Sequence, residues 1–173
     1  VTGPKYDGVP LRATLQRWFG TRTLGEAAHP MIIPAADVRR CETKVFKTPH
    51  APGSTGDEQL LAVDVAMAAC AAPAYFPAVP IGEALYADGG LFAVAPDLVA
   101  LHEAEHFMGI APAAVRMLSI GTATSGYRPA GDLVADAGAV GWLAEGRLLL
   151  TLIALQQQHV AAIMEDRLAQ RYL

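Results

Sequence analysis

The sequence predicts an α/β layered fold with a mainly parallel sheet, and three observations carry that reading. Short apolar runs that read as buried strands, at 31–36, 84–87 and 115–121, alternate with segments of helical period. The run 84–87 stops at Asp88-Gly89-Gly90, a carboxylate followed by two residues that let the backbone turn and be approached closely. Pro96 with Asp97 then opens a helical stripe of Leu98, Leu101, Ala104 and Phe107, proline being tolerated in a first helical turn. A carboxylate at the carboxyl end of a strand, just before a strand-to-helix connection, is where open α/β sheets place chemistry. On these residues alone Asp-Gly-Gly is equally a plain turn.

Composition bounds the rest. The 173 residues read as a single domain, 1–173, large enough to bury a core, with a mostly helical segment over 132–173. Hydrophobic residues make up 53% and charged residues 17%, and the longest aliphatic stretch, 148–155, is interrupted by Thr151 and followed by three glutamines. That run is short of the roughly 20 apolar residues that cross a bilayer. The net charge is −4 and the 13 Lys and Arg residues form no long block, which argues against a nucleic-acid partner. Cys41 and Cys70 make neither a disulfide framework nor a zinc cluster and read as small, buried or half-buried apolar residues. The chain begins Val1-Thr2-Gly3-Pro4 without a methionine, which predicts that an amino-terminal part of the gene product lies outside it.

Taken in order, Pro10 opens a helix with Leu11, Leu15, Trp18 and Phe19 on one face, closed by Gly20. A single helical turn follows at 24–28, then the strand at 31–36 and an extended neighbour at 43–48. Residues 49–57 form a surface loop rich in Pro, Gly and Ser. Segment 59–72 is a small-residue helix with Leu60, Val63, Met67 and Cys70 or Ala71 on one stripe, stopped by Pro73. Residues 122–131 read as a loop, and helix follows from about Asp132, interrupted at Gly138, Gly141 and Gly146. Leu148, Thr151, Leu152 and Leu155 are expected in the core, with Trp18 and Trp142 as core anchors. His29, His50 and His159 read as exposed.

Five short segments, in order, resemble the carboxyl-terminal half of the patatin-like phospholipase family. They are Tyr6-Asp7-Gly8-Val9-Pro10-Leu11 with its helix; Ile32-Ile33-Pro34-Ala35-Ala36-Asp37 with Val45-Phe46-Lys47-Thr48; Ala71-Ala72-Pro73-Ala74-Tyr75-Phe76-Pro77; Tyr86-Ala87-Asp88-Gly89-Gly90-Leu91; and Leu118-Ser119-Ile120-Gly121-Thr122. The resemblance implies a three-layer α/β fold, incomplete in this chain, and makes Asp88 the carboxylate of a Ser-Asp dyad, with Gly89 and Gly90 holding its loop. The implied reaction is hydrolysis of a carboxylic ester of a lipid, of phospholipase or lysophospholipase type, at a membrane or micelle surface. It implies no metal or organic cofactor, and a cytoplasmic or peripheral-membrane setting. Ester hydrolysis needs an activated hydroxyl, a base and donors for the oxyanion, and a carboxylate within reach of a serine can be that base. The departures are as informative. None of the three serines, Ser54, Ser119 and Ser125, stands in a G-x-S-x-G elbow, so the nucleophile is expected in the missing amino-terminal segment and this chain alone is expected to be inactive. Val94-Ala95 stands where the family shows asparagine before the proline.

A second motif competes. His102-Glu103-Ala104-Glu105-His106 is a literal H-E-x-x-H on a predicted helix, the pattern of a zinc-dependent peptidase with His102 and His106 as ligands and Glu103 as base. The third ligand position of the longer pattern is Pro112, and the bland alternative, a solvated helix face, is preferred, with no metal site. A third reading is a non-catalytic binding or effector module that keeps the fold without the serine.

Overall fold

The computed structural model describes residues 3–50, 53, 55–121, 138–169 and 172–173. The expected loop at 122–131, the helix start near Asp132, Ser54 and Ser125 lie outside the described residues. The chain separates into two compact units, Val1–Ala93 with His106–Gly109, and Val94–Glu105 with Ile110–Leu173.

The first unit is α/β. Its helices are α1 (Val9–Phe19) and α2 (Ala62–Ala69), and its strands are β1 (Ile32–Asp37), β2 (Glu42–Lys47), β3 (Val79–Ile81) and β4 (Ala84–Asp88). The strands form one sheet in the order β2-β1-β4-β3. Every pairing in it is antiparallel, where the sequence reading expected mainly parallel strands. For β1–β2 and β3–β4 the cause is connection length: four residues join β1 to β2, and Gly82-Glu83, with Gly82 at φ 59°, joins β3 to β4. Such short links close only antiparallel hairpins.

The core lies between the sheet and the helices. Ala35 and Phe46 from the sheet meet Val63, Val65 and Ala68 from α2, with Leu11 and Leu15 of α1 packed at the side. Ala35 and Ala68 are fully enclosed, so the small residues of α2 let its backbone approach the sheet closely. Phe46 sits edge-on to Tyr86, centroids 5.0 Å apart, and its burial contributes about 1.5–3 kcal/mol. The last turn of α1 carries Trp18 beyond this cluster, leaving it 76% exposed and no core anchor. Cys41 and Cys70 are exposed as well, contrary to expectation, Cys41 because it occupies the β1–β2 turn with φ at 56°. Asp57, expected at the surface, is buried: its carboxylate accepts from Lys44 Nζ at 2.7 Å and from the Lys47 N–H at 3.1 Å, fastening the loop to β2.

The second unit is helical. It holds α3 (Asp97–His102), α4 (Ala139–Leu143) and α5 (Arg147–Leu168). Leu101 of α3 packs on Val160, Met164 and Leu168 of α5, all buried. The Gln156 side chain accepts the Val94 N–H at 2.8 Å. The predicted strand at 115–121 is reduced to an extended segment with one parallel bridge, Met117 to Tyr172. Val115 and Met117 pack on the α5 cluster, while Leu118 and Ile120 face outward, 68% and 84% exposed. Leu148, Leu152 and Leu155, expected in the core, are also exposed, because the buried stripe of α5 is its second half. By length and composition alone α5 would suffice to cross a membrane. The helix extends well past the aliphatic run 148–155.

Candidate active site

Asp88 is the last residue of β4, paired in register with Ala35 of β1. Its N–H donates to the Ala71 carbonyl just beyond α2 at 3.0 Å. The side chain turns back on its own loop: Oδ1 accepts from the Gly90 N–H at 2.7 Å, capping the 3-10 turn Gly89–Leu91. Backbone bonds from two elements therefore fix where the carboxylate stands. Among the described residues nothing donates to Oδ2, and Asp88 is half-buried. One oxygen caps a turn, while the other has no donor among the described residues.

Gly89 is required by space. A Cβ built on it would fall within 2.6 Å of Pro34 Cβ and closer still to the Pro34 carbonyl, so the turn rests directly on the β1 backbone. At Gly90 a Cβ would meet Asp88 Oδ1 at 3.1 Å, crowding the carboxylate itself. Gly89 is thus confined by Pro34, and Gly90 lies against the Asp88 carboxylate to which it donates.

Cys70, at the carboxyl end of α2, is electrostatically coupled to Asp88. Although Cys70 is exposed as a residue, partial desolvation of its sulfur and then the Asp88 charge push its thiol pKa up. Ser119 lies in the other unit, its N–H donating to the Leu173 carbonyl at 2.7 Å. Cavities of about 420 Å³, lined by Tyr6, Pro10 and Phe76 among others, and about 390 Å³, lined by Phe19, Leu24 and Ile33 among others, do not include Asp88 in their walls.

The H-E-x-x-H stretch is arranged for packing. The helix changes character after His102, continuing as one π-helical segment, Glu103–Phe107. Glu103 is 4% exposed, which corrects the expectation of a solvated face, while His102 and His106 are exposed. Glu105 accepts from Arg167 Nη2 through both oxygens, at 2.6 and 2.8 Å, and His106 stands edge-on to Phe107. Among the described residues no group of three or more His, Cys, Asp or Glu is placed to hold a metal ion.

The first unit is thus an α/β scaffold with a turn-capped carboxylate at a strand end, followed by paired glycines. The family model for patatin-like phospholipases matches residues 1–101, and the chain belongs to that family. It is 36% identical over 171 residues to a cGAMP-activated phospholipase of Pseudomonas aeruginosa, covering 97% of this chain and 50% of that protein. A protein of the same name from Vibrio cholerae is 31% identical over 175 residues, covering 95% of this chain and 49% of the relative. Patatin-like protein 2 of Arabidopsis thaliana is 31% identical over 78 residues, 45% of this chain and 19% of that protein. The chain spans about half the length of the bacterial relatives it matches.

Proposed function

We propose that residues 1–173 are the carboxyl-terminal portion of a patatin-like catalytic domain and supply the general-base half of a Ser-Asp lipid acyl hydrolase. Asp88 is the base, Gly89 and Gly90 hold its loop, and the nucleophilic serine belongs to a segment outside this chain. The substrate is a carboxylic ester of a phospholipid or related lipid, cleaved through an acyl-enzyme at a membrane or micelle surface. The observation that carries this reading is the state of the carboxylate: Oδ1 is committed to Gly90, while among the described residues Oδ2 has no donor. A base needs that second oxygen within reach of the hydroxyl whose proton it takes. The bacterial relatives named as phospholipases support the substrate class.

The test compares two preparations with a serine-reactive fluorophosphonate. The complete gene product is expected to label at one serine outside residues 1–173, and the 173-residue chain to remain unlabelled. Stoichiometric labelling of Ser54, Ser119 or Ser125 in the short chain would remove the dyad assignment. Lipid-ester turnover of the complete product is measured with and without cGAMP, since the relatives' name ascribes activation to it.

A further inference from the structure

Pro34 stands in an interior strand of the sheet, a position that proline normally avoids because it cannot donate to the ladder. The direction of its missing donor follows from its neighbours. Val38 donates its N–H to the Leu85 carbonyl at 2.8 Å, so the backbone of Val38 faces β4. Thr48 donates to the Met31 carbonyl at 3.1 Å, so Met31 faces β2. Facing alternates along a strand, which turns Ala36 and Pro34 toward β4 and Ile33 and Ala35 toward β2. The antiparallel register Ala36↔Ala87 and Ala35↔Asp88 makes Gly89 the residue opposite Pro34. An ordinary residue at 34 would have its N–H aimed at the Gly89 carbonyl. Proline has none, and the β1–β4 pairing ends at Asp88.

The Gly89 carbonyl does not go unpaired. It accepts the N–H of Phe92 at 3.0 Å and of Ala93 at 2.8 Å, the bonds that close the turn after Asp88. That same turn presents the Gly90 N–H to Asp88 Oδ1. We propose that Pro34 is a positioning residue for Asp88: by withholding an N–H, it stops the ladder at Asp88 and leaves the Gly89 carbonyl to fold the turn that holds the carboxylate. Its kinetic consequence rests on the reading of Asp88 as the base, whereas its structural consequence does not.

The experiment uses Pro34→Ala and Pro34→Val in the complete gene product, isotope-labelled at glycine, alanine and phenylalanine. Both variants restore an N–H, and they differ in side-chain volume. In both, amide exchange at Phe92 and Ala93 is expected to accelerate at least about tenfold as the Gly89 carbonyl is drawn to residue 34. The Gly90 amide resonance is expected to move upfield as its bond to Asp88 lengthens. Turnover of a lipid ester should fall at least about tenfold in kcat with KM unchanged. Unaltered Gly90, Phe92 and Ala93 amides would overturn the proposal whatever the turnover. So would a change confined to Pro34→Ala, which points to lost ring packing, or failure of both variants to fold. Altered amides with full turnover would uphold the positioning role and remove Asp88 from catalysis instead.

Discussion

Asp37 and Asp88 end neighbouring strands of one sheet, and each is followed by a turn, yet the protein treats them differently. Asp37 is 6% exposed, and both of its oxygens are engaged. Oδ1 accepts from the Arg39 N–H at 3.0 Å and the Arg40 N–H at 3.4 Å, and Oδ2 from Arg40 Nη1 at 2.9 Å. Burial alone would raise its pKa, but the Arg40 guanidinium and the turn N–H groups outweigh it and hold the carboxyl below its ordinary range. Asp88 receives a single donor, from Gly90, and keeps a second oxygen without one among the described residues. A saturated carboxylate holds a turn together; an unsaturated one on a fixed backbone is suited to accept a proton. Residue type and strand-end position are shared, so the number of donors is what separates the two carboxylates.

The strongest way to break this comparison is Asp88→Asn in the complete gene product. Asparagine keeps the oxygen that accepts from Gly90 and cannot take a proton. Turnover of a lipid ester is expected to fall at least about a hundredfold, roughly 3 kcal/mol of barrier, mainly in kcat. The melting temperature should stay near that of the parent. Kinetics beside a melting curve decide it, and an active, folded variant would place Asp88 in the same class as Asp37.

The pedestal beneath Asp88 is tested by Gly89→Ala. The added methyl must displace the Pro34 backbone, and overpacking of this kind costs about 1–3 kcal/mol. Gly138→Ala is the control without a close approach: a Cβ there meets nothing within 4 Å among the described residues, and its cost should stay at about 1 kcal/mol or less, the loss of an N-cap glycine. Denaturant melts of the two variants that coincide would show that the close approach at Gly89 is unimportant.

Much of this corner was legible in the sequence. Apolar runs located β1 and β4, and Asp-Gly-Gly marked the carboxylate and its turn, because strand burial and glycine geometry are local properties. What depends on register was not. Pro34 reads as one residue of an apolar run until pairing shows that its missing N–H faces Gly89. β3 is three residues with Pro80 at its centre, too short to carry a pattern. Strand direction was misjudged because alternation of strands with helices does not distinguish a hairpin from a crossover when the links are undefined. The leucines at 148, 152 and 155 share a helical stripe that predicts a core position, but hydrophobicity and spacing specify a tendency to be covered and not the cover.

The contrast between Asp37 and Asp88 also has a pH signature. The folded-state pKa of Asp37 is depressed, so the stability it contributes is full above the unfolded carboxylate pKa and is lost as pH falls through the folded one. Asp37→Asn should therefore lower the melting temperature at neutral pH, with the gap to the parent closing below the ordinary carboxylate range. Melting curves recorded from pH 7 to pH 2 measure it. A gap that stays constant to pH 2 would show that the Arg40 pairing is not what stabilises the turn.

The smallest expected effect belongs to the second motif, and its smallness is informative. If His102 and His106 were metal ligands, the helix would have to bring both imidazoles and a third ligand to one point, with Glu103 facing a bound water. Instead Glu103 is buried, Glu105 is held by Arg167, and His106 lies against the Phe107 ring. Replacing both histidines by alanine removes two exposed side chains and should change the unfolding free energy by no more than about 0.5 kcal/mol. Metal analysis of the protein purified without chelator or added zinc should find well under one equivalent. The two measurements fail together if the motif is real, because a structural or catalytic zinc contributes folding energy and its loss would appear as a lower melting temperature in the double variant. Stoichiometric zinc that disappears in that variant would make His102 and His106 the centre of the chemistry and reduce Asp88 to a second turn residue like Asp37.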